Sequence, residues 1–208
     1  MSARPGLSAL QTADWRQRVF GIYSRVRELS PPDGHALWRH ERDALFASHP
    51  ATPLLPEDRS EFTGLPVTDY DPAWRFELEV LPAEEHRMEV ETGTDGTVPF
   101  DRIGRVEVPE VGPIDIWRLA SYGGGLFVPI KDSTAGREGG TYGGGRYLLD
   151  TVKGAHLGAT FDGSAPATLV LDFNFAYNPS CAYDPAWACP LAPPGNTVRV
   201  PIPVGELY

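Results

Sequence analysis

Apolar side chains recur at steps of three and four residues from Thr12 onward: Trp15, Val19, Ile22, Tyr23, Val26 and Leu29, with Arg16, Arg18, Arg25 and Glu28 between them. That period predicts an amphipathic helix, and Ser30-Pro31-Pro32-Asp33-Gly34 reads as its end. A second helix is predicted over about His35 to Ala47, with Leu37, Trp38, Glu41 and Leu45 near one face. It stops before His49-Pro50 because a residue preceding proline is pushed out of the α region. Between Ala51 and Ala73 four prolines and no sustained period predict an ordered connection, anchored by Leu54, Leu55, Phe62 and Leu65.

Beyond Ala73 the period changes to two. Trp74, Phe76, Leu78 and Val80 alternate with Arg75, Glu77 and Glu79, which predicts a half-buried strand. Glu85 to Glu91 repeats the pattern with His86, Met88 and Val90, and Thr92 to Thr97 offers an Asp-Gly turn. Further strands are predicted at Arg102 to Val108, Pro113 to Leu119, Leu126 to Ile130, Arg146 to Leu149, Thr168 to Phe175 and Thr197 to Ile202, with a polar, glycine-rich loop from Lys131 to Gly145. In the strand at Thr168, Leu169, Leu171, Phe173 and Phe175 take one face and Val170, Asp172 and Asn174 the other. Strands at hairpin spacing with no helices between them predict a mainly β fold: an antiparallel β-barrel or barrel-like sandwich with two N-terminal helices. Residues 1–208 are expected to form a single domain, about 12–48 a helical cap and about 74–208 a β body.

Composition narrows the partners. A net charge of −10 with no Lys/Arg cluster argues against nucleic acid. No apolar run approaches the ~18 residues of a membrane span, and the N-terminus lacks a signal-peptide core, so a cytoplasmic protein is expected. The many Gly and Pro fit a fold of short strands and tight turns. Cys181 and Cys189, eight positions apart, lack the close pairing of a zinc site and are expected as thiols, with no metal and no cofactor. Oligomeric state is left open.

Candidate chemistry gathers in the C-terminal third. The glycine-rich loop lacks a Gly-Lys-Ser/Thr ending and a following helix, so nucleotide binding is disfavoured. No Gly-x-Ser-x-Gly elbow occurs. Asp132, Tyr142, Arg146, Asp172, Asn174, Tyr177 and Asn178 form the principal polar constellation of the chain. Asp172 and Asn174, about 7 Å apart along a strand, could act on one ligand or on one partner such as Arg146. Asp172 and Asp132 are the candidate catalytic groups, and Arg146, Asn174, Tyr142, Tyr177, Asn178 and His49 the candidate ligand contacts. A buried Asp–Arg pair bracing two loops is the competing account, and a turn histidine fixing the helix exit is the competing account of His49.

The segments HPATPL (His49 to Leu54), FTGL (Phe62 to Leu65), LFVPIKDSTAG (Leu126 to Gly136), TYGGGRYL (Thr141 to Leu148), LDFNFAYNPSCAYD (Leu171 to Asp184) and CPLAPPGN (Cys189 to Asn196) resemble a bacterial and archaeal family, domain of unknown function 1684. The resemblance implies that His49, Asp132, Tyr142, Arg146, Asp172, Asn174, Tyr177, Asn178, Cys181, Tyr183, Cys189, Asn196 and Glu206 are family features, and it implies no activity. Two functional classes therefore stand: a small-molecule enzyme, foremost a hydrolase with Asp172 as general base and Arg146 holding an anionic group, or a non-catalytic module binding a small ligand in the barrel mouth. A structural or partner-binding role is a third.

Overall fold

The computed structural model describes residues 5–92, 96–160 and 166–208. Helix α1 spans Pro5–Val26 and α2 spans Pro31–Ser48. Ser30-Pro31-Pro32-Asp33, expected to close the first helix, instead opens the second. The Ser30 side chain accepts the Asp33 N–H, and prolines sit in the first turn, where a missing N–H costs nothing. Helix α1 begins seven residues ahead of the expected Thr12, at Pro5.

Strands follow at β1 (Arg75–Glu79), β2 (Arg87–Thr92), β3 (Gly96–Val108), β4 (Gly112–Leu119), β5 (Leu126–Ile130), β6 (Arg146–Asp150), β7 (Ala159–Thr160) and β8 (Thr168–Asp172). The expected Asp-Gly turn falls on residues 93–95, outside the described residues. All pairings between these strands are antiparallel and form two sheets, β2-β3-β4-β5-β6 and β1-β8-β7. The protein is thus mainly β, two antiparallel sheets with two N-terminal helices, and the described ladders leave the sheets open rather than closed into a barrel. An isolated bridge, Leu81 to Arg105, joins the sheets at one edge. Gly104 permits it, since a Cβ there would lie 2.8 Å from the Leu81 carbonyl oxygen.

Two strand expectations are corrected. Phe173–Phe175 form a single 3-10 turn rather than the end of a strand, because the Asp172 carboxylate accepts the Asn174 N–H and caps it. Among the described residues Thr197 to Ile202 joins no ladder; it is held by a parallel bridge, Lys131 to Thr197, by the bond from Ser133 N–H to the Val200 carbonyl and by the Arg146 side chain on the Ile202 carbonyl.

The main core fills the space between the sheets with Val106, Ile114, Ile116, Val128, Ile130, Leu169, Leu171 and Phe173, against which Trp74, Phe76, Leu78 and Val80 of the first alternating segment pack. A second core joins the helices to the β body through Ile22, Tyr23, Val26, Trp38, Leu45, Phe46 and Phe175. Within it His35 is buried, its Nε2–H donating to the Asn174 carbonyl at 3.1 Å and its ring packed on Trp38, Tyr70 and Phe175. Burial pushes its pKa down to about 4 from 6.5. A depressed histidine contributes stability that is present above pH 6.5 and lost as pH falls through about 4, roughly 3 kcal/mol in all. Urea unfolding between pH 7.5 and 4 is expected to show that loss in the wild type and a flatter profile in His35→Phe. Parallel profiles would exclude His35 as the source.

Candidate functional site

The C-terminal tail is held from inside the molecule. Arg146, fully buried on β6, donates through Nη1 to the carbonyls of Val204 and Glu206, and through Nη2 to the Ile202 carbonyl at 3.0 Å and to Asp132 Oδ2 at 3.2 Å. Asp132 also accepts from the Thr134 N–H and hydroxyl and from the Thr141 hydroxyl. The Asp–Arg brace weighed from sequence therefore exists, but its carboxylate is Asp132. Asp172 instead accepts from the Asn174 N–H and side-chain amide and from the Tyr70 hydroxyl, with Arg75 at 3.8 Å. Desolvation holds its pKa above the usual carboxylate value. Asn174 completes a clamp by exchanging bonds with the backbone of Asp71. Asp132 and Arg146 thus meet at one place, and Asp172 and Asn174 at another.

His49 lies at the exit of α2, its Nδ1 accepting the Ala51 N–H and its Nε2–H donating to Asp14. Tyr142 donates to the Cys181 carbonyl and lies 3.6 Å from the Cys181 sulfur.

The brace delivers Glu206 to buried side chains behind a cavity wall, among them Arg42 and Tyr183. Gly205 makes the turn with φ of 86°, and a Cβ there would come within 2.7 Å of the Phe173 carbonyl oxygen. Glu206 is consequently buried, where Oε2 accepts from Arg42 Nη2 at 2.8 Å and from the Asn178 N–H, and Oε1 accepts the Tyr183 hydroxyl. Arg42, on the inner face of α2, is sandwiched by aromatic rings, its guanidinium 4.6 Å from the centre of Trp38 and 5.5 Å from that of Tyr177.

Arg42, Tyr177 and Asn178 line a cavity of about 660 Å³, mouth included, between the helix pair and the 177–183 segment. Trp15, Tyr23, Phe46 and Tyr183 supply aromatic walls, and Arg16 and Lys153 add positive charge. Arg42 Nη1, the Tyr177 hydroxyl and Asn178 Oδ1 are buried there without hydrogen-bond partners. Asn178 Nδ2 donates to the Leu207 carbonyl, which fixes the amide so that Oδ1 is the free atom. Burial pushes the Tyr177 pKa well up, so its hydroxyl keeps its proton. Two donors and one acceptor therefore lie buried and unpaired in residues that line this cavity, beside flat apolar surface. Of the sequence candidates, Tyr177 and Asn178 face it. Arg42 was missed, although its spacing behind His35 and Trp38 places it on the buried stripe of α2.

Fold and cavity define the class: a two-sheet β protein with a helical cap, closed over a buried Arg–Glu pair and an aromatic recess. The chain belongs to the family described as protein of unknown function (DUF1684), whose model matches residues 60–207. It is similar to the uncharacterized protein from gene locus rrnAC0354 of Haloarcula marismortui, solved in solution by NMR. The two are 33% identical with a TM-score of 0.59, over 82% of this chain and 90% of that one. The comparison with curated proteins gave no match. The stretch matched by the family model includes Tyr177, Asn178, Tyr183 and Glu206 but begins after the helix that carries Arg42. Among the described residues no helix is long and apolar enough to cross a membrane.

Proposed function

We propose that the chain is a small-molecule binding module whose cavity takes a compact organic acid with a flat apolar body and a second polar substituent. The single observation behind this reading is the convergence of three unpartnered buried polar atoms, on Arg42, Tyr177 and Asn178, on one aromatic recess. Each buried polar atom left unsatisfied costs roughly 1–3 kcal/mol, so three in one recess favour a ligand that supplies the partners. The Arg42 and Tyr177 donors suit a carboxylate, and the Asn178 acceptor suits a hydroxyl or amino group on the same molecule. Binding without turnover is supported by Asp172, whose carboxylate is engaged by Asn174 and Tyr70, which disfavours its use as the general base of a hydrolase. The reading treats the helix pair and the β body as one cooperative unit, since the cavity needs both walls.

The test uses 4-hydroxybenzoate, with 4-hydroxybenzamide as the uncharged control, in titration calorimetry. Saturable binding of the acid and at least tenfold weaker binding of the amide are expected. Tyr177→Phe removes a hydroxyl that has no partner to lose, so the melting temperature is expected to stay level or rise. The same variant is expected to weaken acid binding about tenfold, or 1.4 kcal/mol. Absence of binding by the acid, or an unchanged affinity in Tyr177→Phe, would overturn the reading.

A further inference from the structure

A second cavity, about 900 Å³ with its mouth, adjoins the first, and the two share Arg16, Lys153 and Ser180 on their linings. It lies over an aromatic cluster separate from the main core, where Phe100 of β3, Phe127 of β5 and Tyr147 of β6 pack together. The centre of the Phe127 ring stands 5.4 Å from that of Phe100 and 4.8 Å from that of Tyr147. Strand register brings Leu119 of β4 opposite Phe100 and onto the same lining. The 187–190 segment adds Trp187 and Pro190, and the bond from the Tyr147 hydroxyl to the Pro190 carbonyl at 2.6 Å pins it to the sheet. Trp187 is 44% exposed, a large apolar ring left to water at the edge of an apolar recess.

Charge enters where the two cavities meet. Arg16 is exposed on α1, and among the described residues its side chain has no ion-pair or hydrogen-bond partner. Lys153 lies in the 3-10 turn after β6, its ammonium 3.2 Å from Asp150 Oδ2 and 5.2 Å from the centre of the Tyr147 ring. An ammonium carries three donors, so Asp150 leaves two of them open. Asp150 is on the lining too, and with Arg16 and Lys153 the charged groups there sum to +1, in a chain of net charge −10. A locally positive edge in an acidic protein draws an anion to that spot and to few others. The side chains with buried unpartnered polar atoms, Arg42, Arg146, Tyr177 and Asn178, are absent from this lining. What fits is therefore a molecule with one anionic end and no second polar group.

We propose that this second cavity is a separate binding site for an aromatic oxyanion whose ring system bears no other polar substituent. The rings are taken up beside Trp187 and the Phe100–Phe127–Tyr147 cluster, and the anion is held at the edge by Arg16 and Lys153. Ring-on-ring contacts in offset or edge geometry add to simple area burial, which favours an aromatic body over an alkyl chain of the same size. The Arg16 fork and the open Lys153 donors suit the oxygens of a sulfonate, phosphate or carboxylate. The proposal stands independently of the ligand of the first cavity, whose buried unpaired groups belong to Arg42, Tyr177 and Asn178.

The experiment titrates naphthalene-2-sulfonate into the native full chain by calorimetry, with naphthalene-2-sulfonamide as the uncharged control and octane-1-sulfonate as the aliphatic one. Saturable binding of the aromatic sulfonate is expected, with each control weaker by about tenfold or more. Trp187→Ala changes an exposed side chain that the first cavity does not use, so the melting temperature is expected to hold while the sulfonate binds about tenfold more weakly. Trp187→Phe keeps a ring and is expected to recover most of that loss. Arg16→Gln is expected to weaken the sulfonate about threefold and to reduce its dependence on salt. Tyr177→Phe, on the lining of the first cavity alone, is expected to leave the affinity unchanged. The proposal is overturned by absence of saturable binding, by a control that binds as well as the aromatic sulfonate, or by an unchanged affinity in Trp187→Ala. A loss in Tyr177→Phe as large as that in Trp187→Ala places the sulfonate in the first cavity and also overturns it.

Discussion

Replacing Arg146 by lysine is expected to destabilise the protein by about 3–5 kcal/mol, the cost of breaking a buried ion pair whose remaining partner cannot leave the interior. The side chain is fully buried, and its two terminal nitrogens reach the carbonyls of Ile202, Val204 and Glu206 as well as Asp132. A lysine ammonium is a single point with three donors and cannot span that arc of carbonyls. The substitution would leave tail carbonyls unbonded in a site without water access, and each adds to the loss. From the sequence this fork stood open between a ligand's anionic group and a bracing pair with an aspartate. In the structure it is engaged by Asp132 and by the chain's own carbonyls. Urea midpoints of wild type and Arg146→Lys, converted with a common slope, measure the difference. A loss below about 1 kcal/mol would mean that the tail is held by other contacts, such as the Leu207 N–H to Pro66 carbonyl bond.

What could be read from the chain depended on whether burial was one-sided. Arg75–Glu79 alternates because one face of β1 packs on the core and the other meets solvent, so period two is written in its residues. The same alternation continues through Phe173 and Phe175 but there reports a capped turn with both sides buried, and periodicity cannot distinguish the two. Ser30-Pro31-Pro32 carried the right signal, a cap followed by first-turn prolines, yet those residues also end helices, and the reading took the wrong side of the boundary. Thr197–Ile202 has strand composition without a strand partner, since the Arg146 fork takes up carbonyls of the tail that follows. Within the site, Tyr177 and Asn178 were legible as polar residues in an apolar run. Arg42 was not, because an arginine on an amphipathic helix is usually solvated, and only Glu206, 164 positions away, makes it an interior residue. Long-range ion pairs leave no trace in local spacing.

The Arg42–Glu206 pair beside the cavity also ties the cap to the tail, and this gives the second large effect. Arg42→Met leaves Glu206 buried against Tyr183 and the Asn178 N–H with no cation, and Glu206→Gln leaves the Arg42 guanidinium buried without its anion. Each change alone is expected to cost about 3–5 kcal/mol. The double variant removes both charges, keeps an amide oxygen as acceptor for the Asn178 N–H, turns the amide N–H₂ toward the Tyr183 hydroxyl as acceptor, and places a flexible thioether among Trp38, Phe46 and Tyr177. It is therefore expected to cost no more than either single change, a coupling energy of about 3 kcal/mol in a double-mutant cycle. Simple additivity of the two single losses would show that Arg42 is stabilised by its aromatic neighbours rather than by Glu206. The same double variant separates fold from function. It should unfold cooperatively near the midpoint of the better single variant, yet fail to bind 4-hydroxybenzoate, because the unpaired Arg42 donor of the cavity lining is gone. A double variant that is stable and still binds the acid would place the anion site elsewhere in the cavity, with Lys153 and Arg16 the remaining cations on its lining.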